Sequence, residues 1–178
     1  MAMTLITTNT SSGAASSSFT SSIDSTYKLY IFKFIDINVS AYSNFQFNGS
    51  SDGGSNYNVT KTTTWFRAEH YEADTSTTLA YAAGNDLAQS TAYQMIFQGA
   101  DNDADDACVG ELWLFNPSNT TYVKHFYATG NYKVQSGDGV STNLFMAGYF
   151  NTTSAIDAIN FAPSTGNFDG TIKLYGVG

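Results

Sequence analysis

The sequence has few cysteines and prolines, the residues that cross-link a small domain or interrupt its strands and helices. Its 178 residues include a single cysteine, Cys108, and only two prolines. One cysteine excludes an internal disulfide framework, so folding does not require an oxidising compartment. We therefore expect the chain to fold in a reducing environment such as a bacterial cytoplasm.

Positive charge is also scarce. Seven Lys and Arg residues stand against fifteen Asp and Glu residues, which gives a net charge of −8 at pH 7. A negative protein repels phosphate backbones, because non-specific binding to nucleic acid depends on Lys and Arg contacts. We expect no nucleic-acid partner.

Long apolar segments are missing too. The first six residues, MAMTLI, carry no basic side chain, and no long apolar run follows them. A secretion signal begins with a basic region before its apolar stretch, and a membrane-spanning helix needs about 20 apolar residues. We expect neither feature, and no membrane partner.

Aromatic residues, by contrast, are abundant. Phe, Trp and Tyr make up 15% of the chain and charged residues 12%, with Ser, Thr, Asn and Gly filling much of the rest. Aromatic and β-branched residues suit a pleated sheet, whereas the residues of amphipathic helices are few. The composition predicts an all-β fold.

The length predicts one domain over residues 1–178, large enough to bury a core of its own. Residues 1–26 form a Ser/Thr-rich N-terminal segment, which by composition alone could be disordered. It also contains Phe19 and Ile23 as candidate core anchors, and Leu5 and Ile6 could begin an edge strand. We therefore expect an ordered edge segment.

Apolar residues alternate along several stretches. Residues 27–37 are apolar on both faces, which predicts a central strand covered by a second layer or by a neighbouring subunit. Trp65 and Phe66 point to opposite faces of a strand over residues 59–71. Residues 109–115 and 122–127 predict a hairpin. With about eight to ten such strands and turn signals between them, we expect a two-sheet antiparallel β-sandwich of the jelly-roll type.

The last 25 residues predict two strands joined by a tight turn at residues 163–167. Pro163 has a fixed backbone φ angle, and Gly166 can adopt a positive φ, as a short hairpin loop requires. In the second strand, Ile172 and Leu174 fall on one face and Lys173 on the other. We expect Ile172 and Leu174 to be buried.

An acidic run at residues 101–106 is the one candidate metal site. Asp101, Asp103 and Asp105 alternate like the first three ligands of a calcium loop. The rest of the stretch does not fit a calcium loop, because Asp106 occupies the position of its Gly and Leu112 occupies the position of its Glu. A solvated acidic loop with at most weak Ca²⁺ binding is therefore expected, and no other cofactor.

Catalytic motifs are not evident in the sequence. Cys108 and His125 could serve as nucleophile and base only if the fold joined them, and the strand pattern gives no reason to expect that. No phosphate-binding loop, zinc spacing or nucleophile elbow is present. We expect a protein without enzymatic activity.

The excess of aromatic residues leaves two uses open. With twelve Tyr, thirteen Phe and two Trp, the chain has more rings than one core needs. Exposed Tyr and Trp can anchor subunit interfaces or form platforms for sugar rings. Strands that are apolar on both faces favour assembly, because a flat interface covers a whole strand.

Several short motifs resemble one protein family. They are residues 168–176, FDGTIKLYG, residues 23–27 leading into the strand YIFKF at 30–34, residues 115–118, FNPS, and residues 149–153, YFNTT. Together they are similar to small virion structural proteins of tailed bacteriophages, especially the marine and cyanophage type. Proteins of that kind are head-decoration or tail-fibre components.

The resemblance implies a virion part that is made in the cytoplasm of the bacterial host. We expect a non-catalytic capsid decoration or cement protein on the outer particle surface, present as a homo-oligomer, most simply a trimer. Its partners would be the major capsid protein or other virion proteins. The alternatives are a tail-fibre or receptor-binding tip and a carbohydrate-binding β-sandwich, with a host surface glycan as partner. No heptad or collagen-like shaft is present, which favours the compact decoration protein.

Overall fold

A computed structural model describes residues 2–134 and 139–178. These residues form twelve β-strands and no helix, which confirms the all-β prediction. No helix that could cross a membrane occurs in the described ranges. The strands are β1 Met3–Ala14, β2 Ser17–Phe19, β3 Leu29–Val39, β4 Ser43–Ser50, β5 Lys61–Tyr71, β6 Thr77–Tyr81, β7 Gln94–Ala100, β8 Cys108–Phe115, β9 Lys124–Val134, β10 Val140–Phe150, β11 Ala158–Pro163 and β12 Phe168–Val177.

The strands join into one nearly closed, barrel-like sheet in which every pairing is antiparallel. The order β1-β12-β3-β8-β9 continues through β10 and β5 to β6, and a second series runs β7-β4-β11-β2. One pairing, Ala100 with Val134, connects the two series. The gap on the other side is bridged by Asn9, whose Nδ2 donates to Ser17 Oγ at 3.1 Å and to the Ser18 carbonyl oxygen at 3.1 Å.

Phenylalanine is the most frequent residue in the buried core, and both series contribute its rings. Phe161 of β11 is fully buried, and its ring centroid lies 5.1 Å from that of Phe32 and 5.2 Å from that of Phe34, both of β3. These contacts are edge-to-face, the arrangement that aromatic quadrupoles favour. Because β3 and β11 belong to different series, the rings hold the two halves of the sheet together.

The N-terminal segment is ordered. Leu5 and Ile6 lie in β1, which pairs only with β12 among the described residues, and β2 pairs with β11. Phe19 and Ile23 are 3% and 4% exposed. Burial of these two side chains supplies the apolar contacts that a Ser/Thr-rich segment otherwise lacks.

Most of the predicted strands are present, some longer than expected. β3 lies centrally, between β12 and β8. Trp65 is fully buried and Phe66 is 42% exposed, so the predicted opposite faces of β5 are confirmed. β8 and β9 form the predicted hairpin. β9 extends to Val134, into residues 130–139, where the sequence predicts a loop or a short strand and of which residues 135–138 lie outside the described ranges.

The outward face of β3 includes Ile31, which is only 3% exposed within this single chain. Ile31 lies in register between Tyr175 of β12 and Trp113 of β8. Large aromatic side chains on both neighbouring strands therefore shield it within the same sheet.

The predicted C-terminal hairpin is wrong, although both of its strands exist. β11 pairs with β4 and β2, whereas β12 pairs with β1 and β3. Residues 164–167 therefore carry the chain from one strand series to the other. The alternation itself is confirmed, because Ile172 and Leu174 are fully buried and Lys173 is half-buried.

Two lysines lie inside this apolar core. Lys61 of β5 and Lys124 of β9 are fully buried and both pair in register with Phe150 of β10. Lys61 Nζ donates to the carbonyl oxygens of Val59 and Ala92 at 3.1 and 2.5 Å. Burial lowers the pKa of Lys61 to about 7. Main-chain carbonyls thus replace the carboxylate that a buried ammonium usually requires.

Candidate functional site

The acidic loop lies between β7 and β8. It brings together one carboxylate oxygen from each of Asp101, Asp103 and Asp106, all within 4.8 Å of one another. Asp105, which the sequence pattern proposed as a ligand, is exposed and outside this group. The group contains Asp106 instead, the residue that occupies the Gly position of the calcium-loop pattern.

A tight turn explains the exchange of Asp105 for Asp106. The Asp106 amide donates to the Asp103 carbonyl oxygen at 3.1 Å. Such a turn brings residues i and i+3, here Asp103 and Asp106, close together. The local turn was not identifiable from carboxylate spacing alone.

The acidic loop also has its own counter-charge. Lys133 Nζ lies 3.0 Å from Asp106 Oδ2, and this hydrogen bond raises the pKa of Lys133. Asn38 Nδ2 donates to the carbonyl oxygens of Asp103 and Asp106 at 2.8 and 2.6 Å. The loop is therefore closed by side chains of β3 and β9, and one carboxylate already has a cation partner.

Cys108 and His125 lie at opposite ends of the β8–β9 hairpin. Cys108 precedes the pair Val109–Asn131, and His125 is six residues before Asn131. At a rise of about 3.3 Å per residue the two side chains are about 20 Å apart. Burial raises the pKa of the Cys108 thiol to about 12. The two residues cannot act as nucleophile and base together.

Aromatic side chains line the outer face of the β8–β9–β10 region. Trp113 and Tyr127 face each other in register, with ring centroids 5.4 Å apart and planes 16° from parallel. Phe115 lies 5.7 Å from Tyr127. His125 lies 5.8 Å from Tyr149, its partner on β10. We call Phe115, His125, Tyr127 and Tyr149 the aromatic groove.

The aromatic groove contains two adjoining concavities of about 330 and 550 Å³, which share Phe115 and His125. In the register, Tyr127 is followed by Ala147 and then by Thr64. These small side chains leave a depression beside the rings. The second concavity opens toward the β8–β9 turn, where Asn116, Asn119 and Thr121 line it.

None of the residues that line these two concavities is an Asp, Glu, Lys or Arg. Their polar groups are hydroxyls, amides and the His125 imidazole. Ligand pockets commonly have volumes of about 300–1,000 Å³, mostly apolar walls and a few polar groups. The aromatic groove has these properties.

A second apolar surface lies further along β5, β6 and β10. Phe66 and Phe145 are 42% and 44% exposed and stack with centroids 5.3 Å apart and planes 10° from parallel. Tyr81 is in register with Phe66, and Leu79 of the same strand is 79% exposed. We call these four residues the flank patch. Within the described ranges, β6 pairs only with β5, so its other edge has free backbone groups.

The sequence indicated an excess of aromatic residues but not where they collect. Alternation along residues 109–115 places Trp113 and Phe115 on the face opposite Leu112 and Leu114. It did not reveal that His125 and Tyr149 lie beside them, because that depends on the register of β9 with β10.

Comparisons with models of known protein families, with curated proteins and with solved structures find no match for this chain. The resemblance to phage structural proteins therefore stays an expectation drawn from the short sequence motifs.

Proposed function

We propose that the chain is a non-catalytic structural protein of a tailed-phage particle, most simply a capsid decoration protein that assembles as a homo-oligomer. The observation that carries the proposal is the flank patch. It presents four large exposed apolar side chains beside an edge of β6 that pairs with no other strand in the described ranges. Surfaces of this kind mark protein interfaces, since isolated soluble domains protect their strand edges.

Charge supports self-association at this surface. β6, with the sequence TTLAY, carries no charged residue and no proline, the usual protections of an exposed edge. The whole chain has a net charge of −8. The Asp86 carboxylate lies beside the patch, where it accepts a hydrogen bond from the Tyr81 hydroxyl. Two copies that meet through the four apolar side chains still bring few like charges together.

The strand order supports a jelly-roll type of sandwich as the finer description of the fold. Eight strands fall into the orders β1-β12-β3-β8 and β2-β11-β4-β7, with β5–β6 and β9–β10 as additions. Two sheets of four antiparallel strands make a jelly roll, a fold used in viral capsid and lectin domains. This argument is an analogy of fold, and it favours a binding role without identifying the partner.

In the particle, the proposed partners are further copies of the chain, as a trimer, and the major capsid protein. The protein would be made in the host cytoplasm and reside on the outer virion surface. A tail-fibre tip is the alternative position. The aromatic groove favours that alternative, because receptor binding needs a concave site.

Light scattering tests the assembly role. We expect an oligomer at micromolar concentration for the wild-type chain and a smaller species for the double variant Phe66→Ser, Leu79→Ser. Tyr42→Ser is the matched control, because Tyr42 is 51% exposed and lies outside the flank patch. A wild-type monomer, or equal effects of the patch and control variants, would contradict self-association through this surface.

Mass spectrometry of purified particles tests the virion role. We expect the chain among the particle proteins, and cryo-electron microscopy would place its density on the capsid lattice or on the tail. Absence from the particle would overturn the virion role, whereas self-association through the flank patch would still be decided by light scattering.

A further inference from the structure

We propose that the aromatic groove is a binding site for a neutral glycan. This site is distinct from the flank patch, and the inference does not depend on the virion role. Tyr149 and Phe145 lie four residues apart on β10, which places them about 13 Å apart along the strand. Each surface can therefore be altered while the other is left intact.

The rings provide one half of sugar recognition. A pyranose ring has a face of C–H groups, and this face packs on the electron-rich face of an aromatic ring. Phe115 and Tyr149 line the first concavity of about 330 Å³, and Phe115 and Tyr122 line the second, of about 550 Å³. Two adjoining concavities with rings in each suit an oligosaccharide of more than one residue.

The polar groups at the rim provide the other half. Asn119 Oδ1 accepts hydrogen bonds from the Thr121 and Tyr122 amides at 2.7 and 2.8 Å, so the Asn119 side chain is held in one orientation. A fixed amide beside aromatic rings matches the alternation of hydroxyl and C–H groups on a sugar.

Charge identifies the ligand as neutral. Because the lining lacks Lys and Arg, an anionic glycan would enter a negative protein without any compensating cation. A cationic ligand would find no carboxylate in the lining either. A second copy of the chain is a weaker candidate occupant, since a flat sheet face does not fill a concavity.

Titration by NMR with oligosaccharides tests the inference on the full chain. The neutral probes are the hexamers of β-1,4-glucose, α-1,4-glucose, β-1,4-xylose and β-1,4-mannose, and the anionic probe is hexagalacturonate. We expect at least one neutral hexamer to shift the amide signals of β8, β9 and β10 around the aromatic groove. Hexagalacturonate should bind more weakly than that hexamer.

Variants then locate the site. Tyr149→Ala and His125→Ala should each weaken binding by about tenfold or more, as expected for loss of one contacting ring. Phe145→Ala, in the flank patch of the same strand, should leave affinity within about twofold. A dispersed amide spectrum would verify that each variant is folded.

Three results would overturn the inference. They are no response to any neutral hexamer at millimolar concentration, tighter binding of hexagalacturonate, or equal effects of Tyr149→Ala and Phe145→Ala. A change in oligomer size with Tyr149→Ala, without a change in sugar affinity, would make the groove a subunit interface and would also overturn it.

Discussion

Aromatic side chains have different surroundings inside the sheet and on its outer face. Inside, Phe161 meets Phe32 and Phe34 edge-to-face, with planes 62° and 75° apart, and stacks on Phe45 with planes 4° apart. Outside, Trp113 and Tyr127 lie 16° from parallel and Phe66 and Phe145 lie 10° from parallel, whereas the planes of His125 and Tyr149 are 55° apart. The interior rings are fully buried, whereas Phe66 and Phe145 remain almost half exposed.

The difference follows from what surrounds each ring. Interior rings come from different strand series and fill space from several directions, so close packing sets their angles. Outer rings are cross-strand neighbours that stand side by side on one pleated surface, so the strand register decides which rings meet. Half-exposed outer rings such as Phe66 and Phe145 keep part of their surface free for a ligand or a partner. Interior rings therefore stabilise the fold, and outer rings are available for binding.

The largest expected effect is the loss of a central interior ring. Phe161 lies within 6.4 Å, centroid to centroid, of Phe19, Phe32, Phe34, Phe45 and Phe47. Phe161→Ala should lower the free energy of unfolding by about 3–5 kcal/mol, through lost transfer energy and a cavity. Chemical denaturation of the variant and wild type measures the loss.

Phe145→Ala is the matched outer-face control. It should cost less than about 1 kcal/mol, because the ring is already half hydrated. The measurement belongs at the lowest usable protein concentration, where association contributes least. Similar losses of unfolding free energy for Phe161→Ala and Phe145→Ala would contradict the claim that interior rings, and not outer rings, stabilise the fold.

The closing strand β12 gives the next largest contrast, within two consecutive residues. Leu174 is fully buried and Lys173 is half-buried and outward. Leu174→Ala should cost about 2–5 kcal/mol, and Lys173→Ala far less. Urea denaturation compares them. A larger loss for Lys173→Ala would place the strand in the opposite register.

The buried lysine should make stability depend on pH. Burial lowers the Lys61 pKa from 10.5 to about 7, so above pH 7 the unfolded chain binds more protons at this site than the folded chain. Stability should therefore rise with pH from about 7 toward 10.5, by at most about 1.4 kcal/mol per pH unit. The direction is the same for Lys124, whose pKa burial also lowers.

The useful window for that test is pH 7–9, since the Cys108 pKa is raised to about 12 from 9.0 and opposes the rise above pH 9. Urea midpoints across this window should increase for wild type. Lys61→Met, which keeps the apolar stem, should flatten the increase. An unchanged slope in Lys61→Met would show that the lysine is not responsible.

The smallest effect is expected for calcium at the acidic loop. Lys133 already neutralises Asp106, so millimolar calcium should raise the melting temperature by a few degrees at most. Any rise should vanish in Asp103→Asn and persist in Asp105→Asn, because Asp103 belongs to the carboxylate group and Asp105 does not. A rise of more than about ten degrees would show a true calcium site.

The strands were more predictable than their partners. Alternation placed Trp65 and Phe66 on opposite faces and identified Ile172 and Leu174 as buried, because those patterns depend on one strand alone. It was wrong about the C-terminal pair, since residues 164–167 look like a hairpin loop whether the chain turns back or crosses over. The local sequence of a strand does not determine which other strand it pairs with.

The candidate site was predictable only in its residue types. An excess of rings and a group of carboxylates were visible in the sequence. The replacement of Asp105 by Asp106 depended on a turn, and the meeting of His125 with Tyr149 depended on strand register. A one-residue shift of register would have moved every one of these outer rings to the other face.

By itself, the sequence determined an all-β chain with a net negative charge, without internal disulfides and with an excess of aromatic residues. These properties are sums over residues or alternate along single strands, so they need no knowledge of the neighbours. The tertiary structure alone decided which rings gather into the aromatic groove, which form the flank patch and how Lys61 and Lys124 are held inside. These outcomes depend on contacts between residues far apart in the chain, whose pairing is fixed only when the whole sheet forms.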